Sequence, residues 1–134
     1  MKPSILLLAL AGGLYAQEFA PGKPSKLWSI SVSEMMAATT FDAWSSQRMN
    51  PFVGRGLVHE NNSLFADGRG YYVPSRAMPI AYGTYGGIAI GEYLLLRRFP
   101  KLARAFSVLN FGISGFGLSS GFRNMTLYNR VNRQ

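Results

Sequence analysis

The feature that most constrains the fold is an apolar, glycine-rich stretch at residues 77–96, AMPIAYGTYGGIAIGEYLLL, whose single ionisable side chain is Glu92. At about 1.5 Å per helical residue it matches a hydrocarbon core roughly 30 Å thick. Gly83, Gly87 and Gly91 recur at a spacing of four and share one helical face. Each glycine would cost about 1 kcal/mol in a soluble helix, whereas in lipid such a row lets another backbone approach closely. The stretch therefore predicts a membrane-spanning helix that packs through its glycines, within this chain or against a second copy.

A second apolar stretch, residues 102–122, follows after a short turn. Gly117 and Gly121 continue the pattern of small residues at a spacing of four. Two spans joined by so short a turn must be antiparallel neighbours, so the sequence predicts a helical hairpin. Four basic residues in and just after the turn are expected to set its topology: Arg97, Arg98, Lys101 and Arg104.

A third, less apolar helix is predicted over residues 27–46. Its apolar residues recur at spacings of three and four, and Ser25 is a suitable N-cap. We expect the helix to end before the Asn50-Pro51 pair, because a residue that precedes proline is disfavoured in the α region. The fold class predicted for the whole chain is all-α.

The rest of the chain divides by composition. Lys2, an apolar run and small residues up to Ala16 resemble a secretory signal, or else a retained anchor. The predicted organisation is a signal at 1–16, a linker at 17–26 and a single helical membrane domain at 27–134, with a loop at 52–75 and a basic tail at 123–134.

Four polar residues are expected at membrane depth, and they are the candidate sites of chemistry: Glu34, Asp42, Glu92 and Asn110. Glu34 and Asp42 lie eight residues apart, so both fall on one side of the first helix. A carboxylate at membrane depth is costly and is a functional candidate by default. The alternative is a structural hydrogen bond or a pairing with arginine.

Composition argues against catalysis and against nucleic-acid binding. The 134 residues include no Cys and one His, which excludes thiolate chemistry and multi-histidine metal sites. No cofactor-binding or catalytic motif is complete, so we expect no enzyme, no cofactor and no metal. The net charge of +8 comes mostly from residues that flank the apolar stretches, so the expected partner is a lipid bilayer and not nucleic acid.

The expected location is the inner membrane of a bacterium, entered by the secretory route. With the signal cleaved and the first helix not crossing, the basic turn would face the cytoplasm, as the positive-inside rule requires. Arg123, Arg130 and Arg133 in the tail favour the opposite orientation.

Several short patterns occur together: Asp42 with Ser45-Ser46, Asn50-Pro51, the turn Leu96-Arg97-Arg98-Phe99-Pro100, and Arg123-Asn124. In this combination the chain resembles a group of small uncharacterised bacterial membrane proteins with signal-like N-termini. The resemblance covers most of residues 27–124. It implies a helical membrane protein and carries no activity.

The function that the sequence favours is non-enzymatic, a packing or assembly subunit of the cell envelope that binds a second copy or another membrane protein. A small channel or transporter-like oligomer with a carboxylate path is the first alternative. A soluble exported binding protein is the second, and it would require the hairpin to be a buried core.

Overall fold

A computed structural model of the chain describes residues 24–60 and 62–133. These residues form three helices, α1 at Lys26–Val53, α2 at Pro74–Arg98 and α3 at Ala103–Val131, with a short 3-10 turn at Pro100–Leu102 before α3. The predicted all-α fold class is confirmed. The predicted signal at 1–16 and the linker up to residue 23 lie outside the described residues.

α1 begins where the sequence predicts and ends later. The Ser25 hydroxyl accepts a hydrogen bond from the Trp28 amide at 3.1 Å, which is N-cap geometry. The predicted stop before Asn50-Pro51 is wrong, because the helix runs through Pro51 to Val53. Proline removes one backbone donor, and so close to the end of the helix this costs a single hydrogen bond.

α2 and α3 contain the two predicted apolar helices and extend beyond both. α2 begins at Pro74, where the missing N–H would have had no partner within the helix. α3 runs on to Val131, so most of the stretch predicted as a polar tail, 123–134, is helical. The helix continues because this last part packs on α1, with the rings of Phe52 and Tyr128 centred 5.4 Å apart.

The bundle is up-down-up, so α1 and α3 run parallel and α2 runs antiparallel to both. α1 packs mainly on α3, and the buried positions of both helices recur every seven residues. The α1–α3 seam consists of two such rows, Ser31, Ala38 and Ser45 on α1 and Asn110, Gly117 and Asn124 on α3. A Cβ placed on Gly117 would lie 3.4 Å from the Cβ of Ala38. A seven-residue repeat is the pattern of coiled-coil packing, and small residues let the two helices approach closely.

Buried serines in and beside the seam donate their hydroxyl hydrogens to carbonyl groups of their own helices. Ser31 donates to the carbonyl of Trp28 at 2.8 Å, Ser107 to that of Ala103 at 2.7 Å and Ser114 to that of Asn110 at 2.8 Å. A hydroxyl that bonds back to its own helix can be buried without a partner across the interface. The seam is therefore polar in composition and yet closely packed.

One end of the bundle is closed by an apolar cluster. Trp28, Leu96 and Ala103 bring the three helices together, and Val32 and Phe106 pack against them. Trp28 therefore belongs to this apolar cluster and also contacts the buried polar side chain of Glu92.

Large apolar side chains lie on the outside. The exposed fraction is 78% for Phe116, 72% for Val108, 64% for Ile90 and 63% for Phe122. The largest fully buried side chains are, by contrast, Met35, Asn110, Ser31, Ser45, Ser107 and Ser114. Small polar side chains therefore share the interior with apolar ones such as Trp28, Met35 and Phe52, and large apolar side chains cover much of the surface.

Within the described residues, none of the helices has both the length and the apolarity needed to cross a membrane. The stretches 77–96 and 102–122, which the sequence predicts as spans, are helical and fall short of this criterion. Their mean apolarity is lowered by glycines, by Glu92 and Asn110, and by Arg104.

Candidate functional site

The polar centre of the bundle lies where all three helices meet. Oε2 of Glu92, on α2, accepts hydrogen bonds from Nε1 of Trp28 at 2.7 Å and from Nδ2 of Asn110 at 2.9 Å. The same Nδ2 donates to Oγ of Ser31 at 3.3 Å. Glu92 is 4% exposed and Asn110 and Ser31 are fully buried. We call these four residues the Glu92 cluster.

Two atoms of the Glu92 cluster lack partners. Oε1 of Glu92 and Oδ1 of Asn110 are both buried and make no hydrogen bond with another described residue. Such groups are rare in folded proteins, because a buried polar atom without a partner costs about 1–3 kcal/mol. Each of these two therefore requires a physical explanation.

A second polar contact lies farther along the α1–α3 seam. Nδ2 of Asn124 donates to Oγ of Ser45 and to Oγ of Ser46, both at 3.1 Å. Ser45 passes its own hydrogen to the carbonyl of Asp42 at 2.8 Å. Asn124 thus uses both of its amide hydrogens and fixes the register of α3 on α1.

The segment between α1 and α2 is shorter than the predicted loop at 52–75 and is ordered by local hydrogen bonds. Nδ2 of Asn50 donates to the carbonyl of Tyr72, and Oδ1 of Asn50 accepts from the amide of Tyr72, both at 2.9 Å. Asp67 closes a tight turn by accepting from the amides of Arg69 and Tyr71. These amide donors hold the pKa of the Asp67 carboxyl below its usual value. The side chain of Asn50 anchors the end of the loop to α1.

An open cleft of about 360 Å³ lies between this loop and the adjoining parts of α1 and α3. Its lining includes four ionisable side chains, His59, Glu60 and Tyr72 from the loop and Arg123 from α3. The remainder combines the polar contacts just described with apolar side chains such as Met49 and Leu127. The cleft carries charges of both signs.

Asp42 lies on the edge of the seam, seven residues from Met35 and from Met49. Burial raises the pKa of its carboxyl to about 6, and the nearby charge of Glu60 adds to the shift. Burial also raises the pKa of Tyr72 to about 12, with smaller contributions from Asp42, Glu60 and Tyr82. This end of the bundle therefore disfavours further negative charge.

The carboxylates predicted at membrane depth do not meet. Glu92 lies with Asn110 in the three-helix centre, Asp42 lies near Glu60 towards the loop, and Glu34 is exposed on α1. Of the expected pairings, the structure brings together Glu92 and Asn110, and Trp28 takes the place of an arginine partner. Between residues 24 and 133, leaving out 61, no group of three or more His, Cys, Asp or Glu side chains could hold a metal ion.

The two glycine rows differ in their surroundings. Gly117 lies against Ala38, and Gly121 lies against the ring of Phe41. Among residues 24–60 and 62–133, no atom lies within 4 Å of a Cβ placed on Gly83, Gly87 or Gly91. Within the described residues this row therefore takes no part in a helix–helix contact, because α1 meets α2 on another face, and its packing role stays a prediction.

The residues expected to set topology lie together at one end of the bundle, around the turn between α2 and α3. Arg97, Arg98, Lys101 and Arg104 are all exposed. This end also carries Lys26 at the start of α1. The far end holds basic residues of the loop and of the last turns of α3.

Sequence reasoning missed several residues that build the interior, among them Ser31, Ser45 and Asn124. The signal that could have found them is the repeat of seven on α1 and α3. It is easily overlooked, because its positions hold serine, alanine, glycine and asparagine instead of the leucine and isoleucine of ordinary coiled coils.

No protein family, curated protein or solved structure matches the chain. The geometry of its own residues therefore carries the functional argument.

Proposed function

We propose that this protein is a non-enzymatic packing subunit of the bacterial inner membrane, associated with the bilayer through the apolar outer faces of α2 and α3. The observation that carries the proposal is the set of large apolar side chains on the outside, among them Phe116, Val108 and Ile90, around an interior that holds many serines and Asn110. In water the hydrophobic effect drives the reverse arrangement, and large exposed apolar patches mark surfaces that are covered by something else. In lipid, small and polar residues face other helices and large apolar residues face the acyl chains.

The distribution of charge supports the same proposal. No charged residue occurs between Arg104 and Arg123 on α3, and Glu92, the one carboxylate between Arg76 and Arg97 on α2, is buried. At about 1.5 Å per residue, the uncharged band of α3 is roughly 27 Å tall. This is close to the thickness of a hydrocarbon core. Basic residues at both ends of such a band suit contact with phosphate headgroups.

The surface proposed to contact lipid is the outer surface of the assembled bundle. A hydropathy averaged along α2 or α3 includes the inner face, where Glu92, Asn110 and the buried serines lie. The outer face of each helix is therefore more apolar than the hydropathy averaged over the whole helix indicates. Hydroxyl groups on the outside of α1 are also satisfied within the helix, since Ser33 donates to the carbonyl of Ser29 at 3.0 Å.

Membrane fractionation with carbonate extraction, followed by flotation of the purified full chain with lipid vesicles, tests the proposal. We expect the protein to resist extraction and to float. A Val108→Lys and Phe116→Lys double variant should lose flotation, because it places two charges on the outer face of α3. The matched control, Glu34→Lys with Gln47→Lys on the exposed side of α1, should float as before.

Circular dichroism on both variants shows whether the helices persist. A wild-type protein that stays in the extracted, soluble fraction would contradict the proposal and favour an exported binding protein. Equal loss of flotation in both double variants would show that the outer face of α3 has no special role.

The role as a subunit is tested by crosslinking in native membranes. Crosslinking to a different protein supports a packing subunit. A discrete homo-oligomer that Gly87→Leu disrupts favours a pore instead. Ion flux in liposomes that Asp42→Asn leaves unchanged would then exclude a carboxylate path through Asp42.

A further inference from the structure

We propose that the end of the bundle around the turn between α2 and α3 binds anionic phospholipid headgroups in preference to headgroups without net charge. This rests on the proposed function, because it names the lipid that this end contacts when the outer faces of α2 and α3 lie in a bilayer. The surface consists of exposed cations with exposed apolar side chains among them. We call the following four cations the cationic end: Lys26, Arg97, Arg98 and Lys101.

The ends of all three helices bring these cations together. Trp28 at the start of α1, Leu96 at the end of α2 and Ala103 at the start of α3 belong to one buried cluster. Each cation of the cationic end lies within two residues of one of these three along the chain. The four side chains therefore belong to a single surface at this end of the bundle.

Within the described part of the chain, the cationic end has no carboxylate partner. The side chains of Lys26, Arg97 and Lys101 make no hydrogen bond or ion pair there. The guanidinium of Arg98 lies 5.7 Å from the centre of the Phe99 ring, a contact with a neutral group. These cations are therefore available to an anion from outside the bundle.

The carboxylates that follow along α1 and α2 do not neutralise this surface. Glu92 is 4% exposed, and its Oε2 accepts hydrogen bonds from Trp28 and Asn110 inside the bundle. Glu34 lies eight residues from Lys26, which is about 12 Å along the helix axis. Charges on a protein surface are largely screened beyond about 8 Å at physiological salt. An approaching anion therefore meets exposed cations at this end before any described, exposed carboxylate.

Apolar side chains beside the cations favour a lipid as the source of that anion. The exposed fraction is 49% for Phe99, 46% for Leu95 and 38% for Leu102. Phe99 directly follows Arg98 and Leu102 directly follows Lys101, so cationic and apolar groups alternate along the turn. At a membrane interface, Lys and Arg contact phosphate groups while apolar side chains reach the acyl chains. Leucine has no comparable partner on a nucleic acid, whose bases stack on aromatic rings.

The opposite end of the bundle also carries cations, but carboxylates lie among them. The charge of Arg69 acts on the carboxylate of Asp67, and Arg123 lines the same cleft as Glu60. Cations at the opposite end are therefore partly neutralised, and Arg69 and Arg123 supply a control with the same change in charge.

Lipid binding by the full chain in micelles of a neutral detergent tests the proposal. Native mass spectrometry counts bound molecules of phosphatidylglycerol, which is anionic, and of phosphatidylcholine, which has no net charge. We expect the wild type to bind phosphatidylglycerol more tightly. The double variant Arg97→Gln with Lys101→Gln should lower the ratio of the two affinities by about 25-fold, because each Lys or Arg beside anionic headgroups strengthens binding about fivefold.

The matched control, Arg69→Gln with Arg123→Gln, should keep most of the preference for phosphatidylglycerol. Both double variants change exposed side chains, and circular dichroism shows whether their helices persist. Equal wild-type affinities for the two lipids, or an equal loss of preference in both variants, would overturn the proposal. A DNA oligonucleotide that binds more tightly than phosphatidylglycerol, and is lost in Arg97→Gln with Lys101→Gln, would also overturn it and assign the cationic end to nucleic acid.

Flotation with vesicles of phosphatidylcholine alone separates the headgroup preference from the proposed function. Such vesicles have no net charge, so flotation on them reports association through the apolar faces. A wild type that floats and shows no preference for phosphatidylglycerol would overturn the headgroup proposal alone. A wild type that does not float but keeps the preference would contradict the proposed function and support an anion-binding surface at the cationic end.

Discussion

The two glycine rows of this protein have the same spacing and opposite surroundings. On α3, Gly117 and Gly121 lie against α1, whereas on α2, Gly83, Gly87 and Gly91 have open space where a side chain would be. The difference does not come from the glycines. It comes from the facing helix, since α1 presents Ala38 and Phe41 to α3 and, among the described residues, offers nothing comparable to the outer face of α2. A small-residue row therefore becomes an interface only where a second row matches it.

The strongest test of this comparison is a bulky substitution in each row. We expect Gly117→Leu to lower the free energy of unfolding by about 2–3 kcal/mol. A Cβ at residue 117 would lie 3.5 Å from the backbone of Ala38, so a leucine side chain there would force α1 and α3 apart. Gly87→Leu should not lower the free energy of unfolding, because leucine is a better helix former than glycine and no described atom lies within 4 Å of a Cβ at this position. Chemical denaturation followed by circular dichroism measures both, and equal losses would show that the rows are equivalent.

A smaller loss is expected from Asn124→Ala, which removes the amide bound to Ser45 and Ser46 in the packed seam. The cost should be about 1–2 kcal/mol, because two hydrogen bonds are lost while the serine hydroxyls can still donate to their own helix. Thr84→Ala, on the exposed face of α2, is the control and should be close to neutral. Denaturation midpoints that do not differ between the two variants would argue against a role for Asn124 in fixing the register.

The edge of the seam should respond to pH through Asp42. Its pKa is about 6 in the folded protein against 3.8 for a free side chain, so the folded state binds the proton more tightly. Stability should therefore fall as the pH rises from 3.8 to about 6 and remain lower above that. The effect is reduced by solvent screening, because the carboxyl is only half-buried.

Asp42→Asn should remove this pH-dependent fall in stability. Unfolding midpoints measured across the pH range show whether it does. Glu34→Gln, on the exposed side of α1, should leave the fall in place. A pH profile that survives in Asp42→Asn would assign the titration to another group.

The smallest expected effect is a gain in stability. Gly87→Ala should stabilise the bundle by about 0.5–1 kcal/mol, since alanine is the better helix former and no atom lies near its Cβ. Thermal unfolding of the two proteins at one concentration measures it. A loss of stability instead would show that the row on α2 is covered by a second molecule.

Much of the fold follows from local sequence patterns. Helical periodicity, Ser25 as a cap and the basic turn between two apolar stretches predict three helices and the hairpin connection. The end of α1 could not be predicted in this way, because Pro51 is tolerated only thanks to its place in the last turn. The helical tail was missed because Asn124 and Tyr128 appear polar until their partners on α1 are known.

The candidate site could be predicted in part. Glu92 and Asn110 are conspicuous as polar residues in apolar stretches, and the structure brings them together. Trp28 and Ser31 could not be assigned to the same cluster, since nothing in a single chain shows that α1 and α3 run side by side at that height. The same lack of tertiary information makes the glycine rows look equivalent in the sequence.

The parallel course of α1 and α3 also has a mechanical consequence. The chain enters the bundle at Lys26 and leaves it at Val131, and these residues lie at opposite ends. Tension between the two points acts along the seam in shear, so its contacts share the load instead of opening one after another. A protein joined to neighbours at both ends would thus resist extension through Ser31, Asn110, Gly117 and Asn124 at once.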